Sequence, residues 1–459
     1  MTALEQLGSA LASSAPPSAA ARDLVELHLI DTVGAWIAGA RTTEGLALLR
    51  FRAAMGESAP AGDPLALDLT TRCALARLSE IDNIHLASMT TPGGIVIPAA
   101  LTLAAATSAI TADDVIAAVL AGTEAMTRLG RAVDGPAILY RGIWPTYLAA
   151  PFAVAAVAAR LRRLDDRASA NALALALIFA TPGVGHHNAA TTSRWFAVGQ
   201  AARNGLTAAL AAQQGFTSDL KLGESAFLPG IYGVKPDLAA FTDAPGEGAL
   251  LAEVSFKPWC AARQTMAATQ ALREIIESGV PPATMEEVSV SVLPPQLKMI
   301  DHGVVAGDRA SYLTSLPYCM AIAAFAPDMA CEVQQTPAQL PAAVRGFMEK
   351  IKLQADENLL AGYPRKWAAR VNVVAGTARH ERTVTHVPGD PARPFGRAQV
   401  RDKFMRFAGP LLGTPKAEHI LARCGNALAT AEFAALVAEI ESAAAVIPGP
   451  ERSEGGRSP

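Results

Sequence analysis

The chain is poor in the features from which a function is usually read. Aromatic residues make up only 5% of its 459 residues. A core built from so few rings must be mostly Ala, Leu and Val, which suits closely packed helices. The five cysteines, Cys73, Cys260, Cys319, Cys331 and Cys424, form no CxxC pair. A zinc knuckle or a disulfide framework is therefore not supported, and buried, reduced thiols in a cytoplasmic protein are expected. No run of one charge sign stands out: 39 Lys+Arg face 42 Asp+Glu, a net charge of −3. That balance argues against a nucleic-acid partner. GxGxxG and GxxxxGK[ST] phosphate loops are absent, and so are internal repeats. The N-terminal stretch has no basic region ahead of its weak apolar part, so it makes a poor signal peptide. The most lipid-like segment, Gly142 to Ala159, is alanine-rich and interrupted by Pro145 and Pro151. A buried helix is expected there rather than a membrane span.

What is present is a globular composition, 51% hydrophobic and 18% charged. The length favours two domains. Up to about residue 244 the pattern is helical. Leu27, Ile30, Val33 and Ile37 recur at helical spacing, and Thr111 with Asp114 forms a capping box. From about 245 to 395 the texture changes. Val288, Val290 and Val292 alternate with polar residues, and "ARVNVVAG" and "ERTVTHV" flank a short turn as a hairpin would. "ARQTMAATQALREIIESG" and "LTSLPYCMAIAAF" read as helices among these strands. Helices return over 396–448, and 449–459 reads as a flexible tail. The expected fold is mainly α: a large helical domain with a smaller inserted α+β domain.

Several constellations could carry chemistry. In "SEIDNIHLASMTTPGG", Glu80, Asp82 and His85 lie within six residues. A carboxylate beside an imidazole can set its tautomer and raise its basicity. The following turn, with Thr91 and Gly93, offers hydroxyl and backbone N–H donors at a helix start, suited to a carboxylate. In "SFKPWCAAR", Lys257 leaves a strand-like run and Arg263 opens a helix, well placed to grip an anion. Arg194 and Arg203 in "TSRWFAVGQAARNG" could each bind a carboxylate through two hydrogen bonds, and Arg203 has buried-looking neighbours. Tyr147 could donate or accept a proton. Each of these residues could instead be structural. His186 and His187 are adjacent, with no third ligand at metal spacing, so no metal site is expected.

"HLIDTVGAWIAGA", "EIDNIHLASMTTPGGIVIPAAL", "DDVIAAVLAGTEAMTRLG", "AVGQAARNGLTAALAAQQGFTS", "FKPWCAAR", "SLPYCMA" and "PGDPARP…KF" occur in an order that resembles the MmgE/PrpD family. That family includes 2-methylcitrate dehydratases, cis-aconitate decarboxylase and iminodisuccinate epimerase. The resemblance covers nearly the whole chain. It implies a helical domain built from both chain ends, an inserted α+β domain, a site between them, a homodimer, and no cofactor. Glu80, Asp82, His85, Lys257 and Arg203 fall on the family's functional positions. Two family histidines are replaced, by Thr91 and Trp144. Elimination of water or loss of CO₂ needs an acid, which the resemblance implies those histidines supply in the relatives. The resemblance is therefore strongest to the epimerase branch, with a small anionic dicarboxylate as substrate. Two of His85, Lys257 and Tyr147 would carry protons, oriented by Asp82. Arg203 with Arg263 or Arg194 would hold carboxylates, and Glu80, Thr91 and Gly93 would complete the binding site. A hydro-lyase or decarboxylase acting on a tricarboxylate, and a non-catalytic binding protein on the same fold, are the alternatives.

Overall fold

The computed structural model describes residues 1–12, 15–58, 63–183, 191–243, 246–334 and 336–445. His186, His187 and the tail at 449–459 lie outside the described residues. Twenty-one α-helices and six strands occur among those described, a mainly α fold with a smaller sheet-bearing part, as expected. None of these helices is long and apolar enough to cross a membrane.

The capping signals act where the sequence puts them. Ser18 caps the helix Ala19–Gly39, accepting the Ala21 N–H. Thr111 and Asp114 form the reciprocal capping box of Ala112–Ala132. Pro145 sits in the first turn of Pro145–Leu161, where its missing N–H costs nothing. This is the segment that could have been mistaken for a membrane span. It is buried inside the protein because its alanines pack against other helices.

Close helix packing around the later site depends on two glycines of the helix Ser193–Gln213. A Cβ on Gly199 would lie 2.1 Å from the Thr70 carbonyl oxygen, and one on Gly205 would lie 2.3 Å from that of Pro151. Glycine alone lets this helix fit between Pro64–Leu78 and Pro145–Leu161. One large apolar cluster runs through these helices. It takes in Phe404, Ile420 and Leu436 from the C-terminal helices as well.

A second cluster surrounds the sheet. Strands β1 (Ile84–His85) and β2 (Val254–Ser255) form a separate antiparallel pair. The main sheet holds β3 (Glu287–Val292), β4 (Ile351–Ala355), β5 (Ala369–Ala375) and β6 (Ala378–Val384), in the order β4-β3-β5-β6. Strands β3 and β4 are parallel, and the other neighbours antiparallel. Val288 and Val290 pair with Val373 and Val371. All four are buried in the cluster that includes Ala267, Ala271 and Ile275 of the helix Arg263–Glu277. The expected hairpin is β5–β6. Two details differ from the sequence reading. Strand β4 was not expected; it is short and mostly exposed, so its alternation is weak. The helix expected over 313–325 is broken at Ser315, which caps Leu316–Phe325 by accepting the Tyr318 N–H.

Candidate active site

The polar segment after Leu78 forms because the helix Pro64–Leu78 ends in a sharp turn. Glu80 adopts φ +59°, a left-handed conformation uncommon outside glycine. This turn brings its carboxylate back toward Arg77. Arg77 Nη1 donates to Glu80 Oε1 at 2.8 Å and to Asp82 Oδ1 at 3.2 Å. From 177 positions further along the chain, just past β2, Lys257 Nζ donates to Glu80 Oε2 at 2.9 Å and to the Glu80 carbonyl at 3.1 Å. It lies 4.0 Å from Asp82 Oδ1. The β1–β2 pairing fixes this approach, since Ile84 pairs with Ser255 two residues before Lys257.

The two buried carboxylates do not titrate alike. Burial opposes the charge on Glu80, but Arg77 and Lys257 together outweigh it and hold its carboxyl well below the usual range. Asp82 has less help. Burial, reinforced by the neighbouring carboxylates, raises its pKa to about 6 despite the two cations. Its Oδ2 has no hydrogen-bond partner among the described residues. Beneath the segment, Lys403 donates to the Ile81 carbonyl at 2.7 Å and pairs with Asp31. Asn83 meets His28 Nδ1 at 2.9 Å and accepts the Gly93 N–H at 2.9 Å. The backbone that presents Glu80 is thus pinned from below.

Lys257, Glu80 and Arg77 open onto an inner cavity of about 70 Å³. Its other walls include Trp144 and Thr146, Arg194 and Trp195, and Arg263 and Gln264. Thr91 also lines it and bonds to Thr146, through its N–H at 3.1 Å and its hydroxyl at 3.3 Å. Arg194 is buried with its guanidinium over Trp144 and Trp195, at 5.4 and 5.3 Å from the ring centres. It forms no ion pair with a carboxylate among the described residues. Arg263 pairs with Asp390 at 2.7 Å, while its Nε and Nη1 have no hydrogen-bond partner among the described residues. The cavity therefore combines a lysine tied to a carboxylate with two guanidinium groups that retain unused donors.

Of the residues expected at a site, Glu80, Thr91, Arg194, Lys257 and Arg263 line this cavity, and Asp82 lies directly behind Glu80. Four others differ from expectation. His85 does not face Lys257: successive strand residues point to opposite sides, and in β1 it is Ile84 that lines the cavity. Nor is His85 oriented by Asp82. Its Nδ1 accepts the Ser88 N–H at 3.2 Å, so the neutral ring carries its proton on Nε2 and donates it to Glu253 at 3.1 Å. Burial lowers the His85 pKa and keeps the ring neutral. Tyr147 donates its hydroxyl to the Arg194 carbonyl at 2.8 Å, and burial raises its pKa to about 12. It is therefore placed to fix the helix start rather than to carry protons. Arg203 is exposed. Nine residues are about two and a half helical turns, so it projects opposite to Arg194. The Gly93 N–H is already taken by Asn83, and a Cβ there would fall 2.4 Å from the Asn83 amide.

Sequence reasoning missed Arg77, Gln264, Glu253 and Asp390. Arg77 carried a usable signal, a lone cation in the last turn of an Ala/Leu-rich helix three residues before Glu80. Asp390 lay within the motif "PGDPARP", but nothing local named its partner 127 positions away, and Glu253 carried no signal, since it acts on a residue 168 positions away.

The family model of the MmgE/PrpD N-terminal domain matches residues 7–234, and that of the MmgE/PrpD C-terminal domain matches residues 259–426. No curated protein matches the chain.

Proposed function

Since the chain belongs to the MmgE/PrpD family, we propose that it is a cofactor-independent epimerase that removes and returns the Cα proton of a small amino- or imino-dicarboxylate such as iminodisuccinate. The observation that carries this reading is the set of groups around the inner cavity. Lys257 is a proton carrier held by Glu80, and Arg194 is a buried cation without a carboxylate of its own. The two positions that resemble family histidines, Thr91 and Trp144, both face the same space.

In this reading Arg194 and the unused donors of Arg263 bind the substrate carboxylates and stabilise the charge that spreads onto one of them as the Cα–H bond breaks. Once its ammonium has given up a proton to solvent, Lys257 takes the Cα proton on one face, and Glu80 stabilises the ammonium re-formed. A water held by the Thr91 and Thr146 hydroxyls returns a proton on the other face to the carbanion, a far stronger base than hydroxide, and the hydroxide left regains a proton from the Lys257 ammonium through solvent. Elimination would also need an acid at the leaving group, and neither threonine hydroxyl is acidic enough to serve. The same reading divides the subunit at about residues 245 and 395, and pairs it as a homodimer.

The test is exchange of the Cα proton for deuterium in a panel of dicarboxylates in D₂O, followed by NMR. Exchange on iminodisuccinate with loss of optical purity is expected. Efficient dehydration of 2-methylcitrate without any Cα exchange would overturn the reading.

A further inference from the structure

Beyond β1 lies a second cavity, of about 260 Å³. His85 faces it, and its rim carries Arg365, Lys366 and His386. Of the two carboxylates in its walls, Asp390 is neutralised by Arg263, while Glu253 keeps its charge beside the neutral His85, whose hydrogen bond, with Arg365 nearby, favours its ionised form. Glu253 accepts a hydrogen bond from the His85 Nε2–H. Asp390 binds Arg263 through both oxygens, at 2.9 and 2.7 Å, and accepts the Val387 N–H at 2.8 Å. Arg365 and Lys366 form no ion pair among the described residues, and the His386 imidazole makes no hydrogen bond there. Arg365 and Lys366 outnumber the one unneutralised carboxylate, Glu253, so the cavity keeps a net positive charge.

Its walls are also held in place. Trp367 is buried and donates its indole N–H to the Pro364 carbonyl at 2.8 Å, while the Lys366 N–H reaches the Gly362 carbonyl at 2.9 Å. Arg365 and Lys366 thus project from an anchored turn. Next to Asp390, the Gly389 carbonyl accepts the Phe256 N–H at 2.9 Å, and the Gly389 N–H donates to the Arg393 carbonyl at 2.8 Å. A preformed concave site with two adjacent unpaired cations suits a small dianion, which can accept several charge-assisted hydrogen bonds at once.

We propose that this outer cavity is a second anion site, separate from the inner one, that binds a small dianionic oxyanion, a phosphate or a dicarboxylate, between Arg365, Lys366 and His386. It is tested by isothermal titration of the full chain with inorganic phosphate and, separately, with succinate. The test variant is the double substitution Arg365→Ala/Lys366→Ala. The control, Lys352→Ala/Arg379→Ala, removes the same charge from exposed sheet positions. Repeating the series in an Arg194→Gln background separates out any binding to the inner cavity. Binding is expected in the wild type and the control, and should be at least about tenfold weaker in the test variant. Loss confined to phosphate or to succinate identifies which kind of dianion the site takes, and either upholds the site. Equal binding in all variants, equal weakening in test and control, or no binding to the wild type would overturn it.

Discussion

Ile84 and His85 are neighbours on one two-residue strand, and they face different cavities. Ile84 borders the space in front of Lys257, while His85 points through β1 to Glu253 and the outer cavity. The imidazole nearest to the acidic segment in sequence is thereby separated from it in space. In the proposed mechanism, proton transfer in the inner cavity falls to Lys257.

Two arginines of one helix give the sharpest contrast. Arg194→Gln should raise the KM for a dicarboxylate about 10- to 100-fold, the worth of a charge-assisted hydrogen bond lost from a desolvated site. Arg203→Ala should change neither KM nor kcat, because its side chain is exposed. Steady-state kinetics on both variants decides the matter. Equal losses would mean that Arg203 reaches a site formed in some other way.

Lys257 and the threonine pair should fail differently. Lys257→Gln should lower Cα exchange ~10²–10⁴-fold, the usual contribution of a general base. The double substitution Thr91→Val/Thr146→Val should instead keep exchange but lose inversion, so that deuterium enters with retention of configuration. Chiral analysis of the deuterated substrate reads this directly. If both variants lose exchange alike, the two faces are not served by these groups.

Thr91→His would place an acid at the cavity wall where the family resemblance points to one. Exchange should remain within a few-fold of the wild type, and any trace dehydration of 2-methylcitrate should rise. Product analysis by NMR checks both. Abolished exchange with no gain in dehydration would show that Thr91 matters for reasons other than a missing acid.

The raised pKa of Asp82 implies a pH-dependent stability. With its carboxyl at about 6 in the folded protein and an ordinary value of 3.8, the folded state binds more protons between these limits. Stability contributed at this position therefore falls as pH rises from about 4 to 6. Glu80 acts in the opposite sense and at lower pH, since its depressed pKa adds stability above its ordinary 4.5 that is lost on acidification. Asp82→Asn should therefore gain stability relative to the wild type as pH rises from 4 to 7. Melting temperatures across that range test the sign, and a relative loss by the variant would refute it.

Much of this molecule follows from local sequence. Alanine-rich helices with Ser18 and Thr111 at their starts, Pro145 in a first turn, and the alternation of Val288, Val290 and Val292 are consequences of backbone geometry and of apolar periods of 3.6 and 2. The motifs around Glu80 and Lys257 marked the inner cavity for a similar reason, because charged groups set in apolar surroundings need partners. Tertiary structure alone decided which partners those are. The β1–β2 pairing brings Lys257 onto Glu80 and turns His85 toward Glu253, while the loop at 386–392 carries Asp390 onto Arg263. It also decided that Arg194 is buried beside two tryptophans and that Arg203 is exposed. Charge pairs form wherever the packed backbone brings the groups within about 4 Å. Local pairs such as Arg77–Glu80 aside, that distance is set by the packing of whole helices and strands, and a residue's immediate neighbours in the chain do not reveal it.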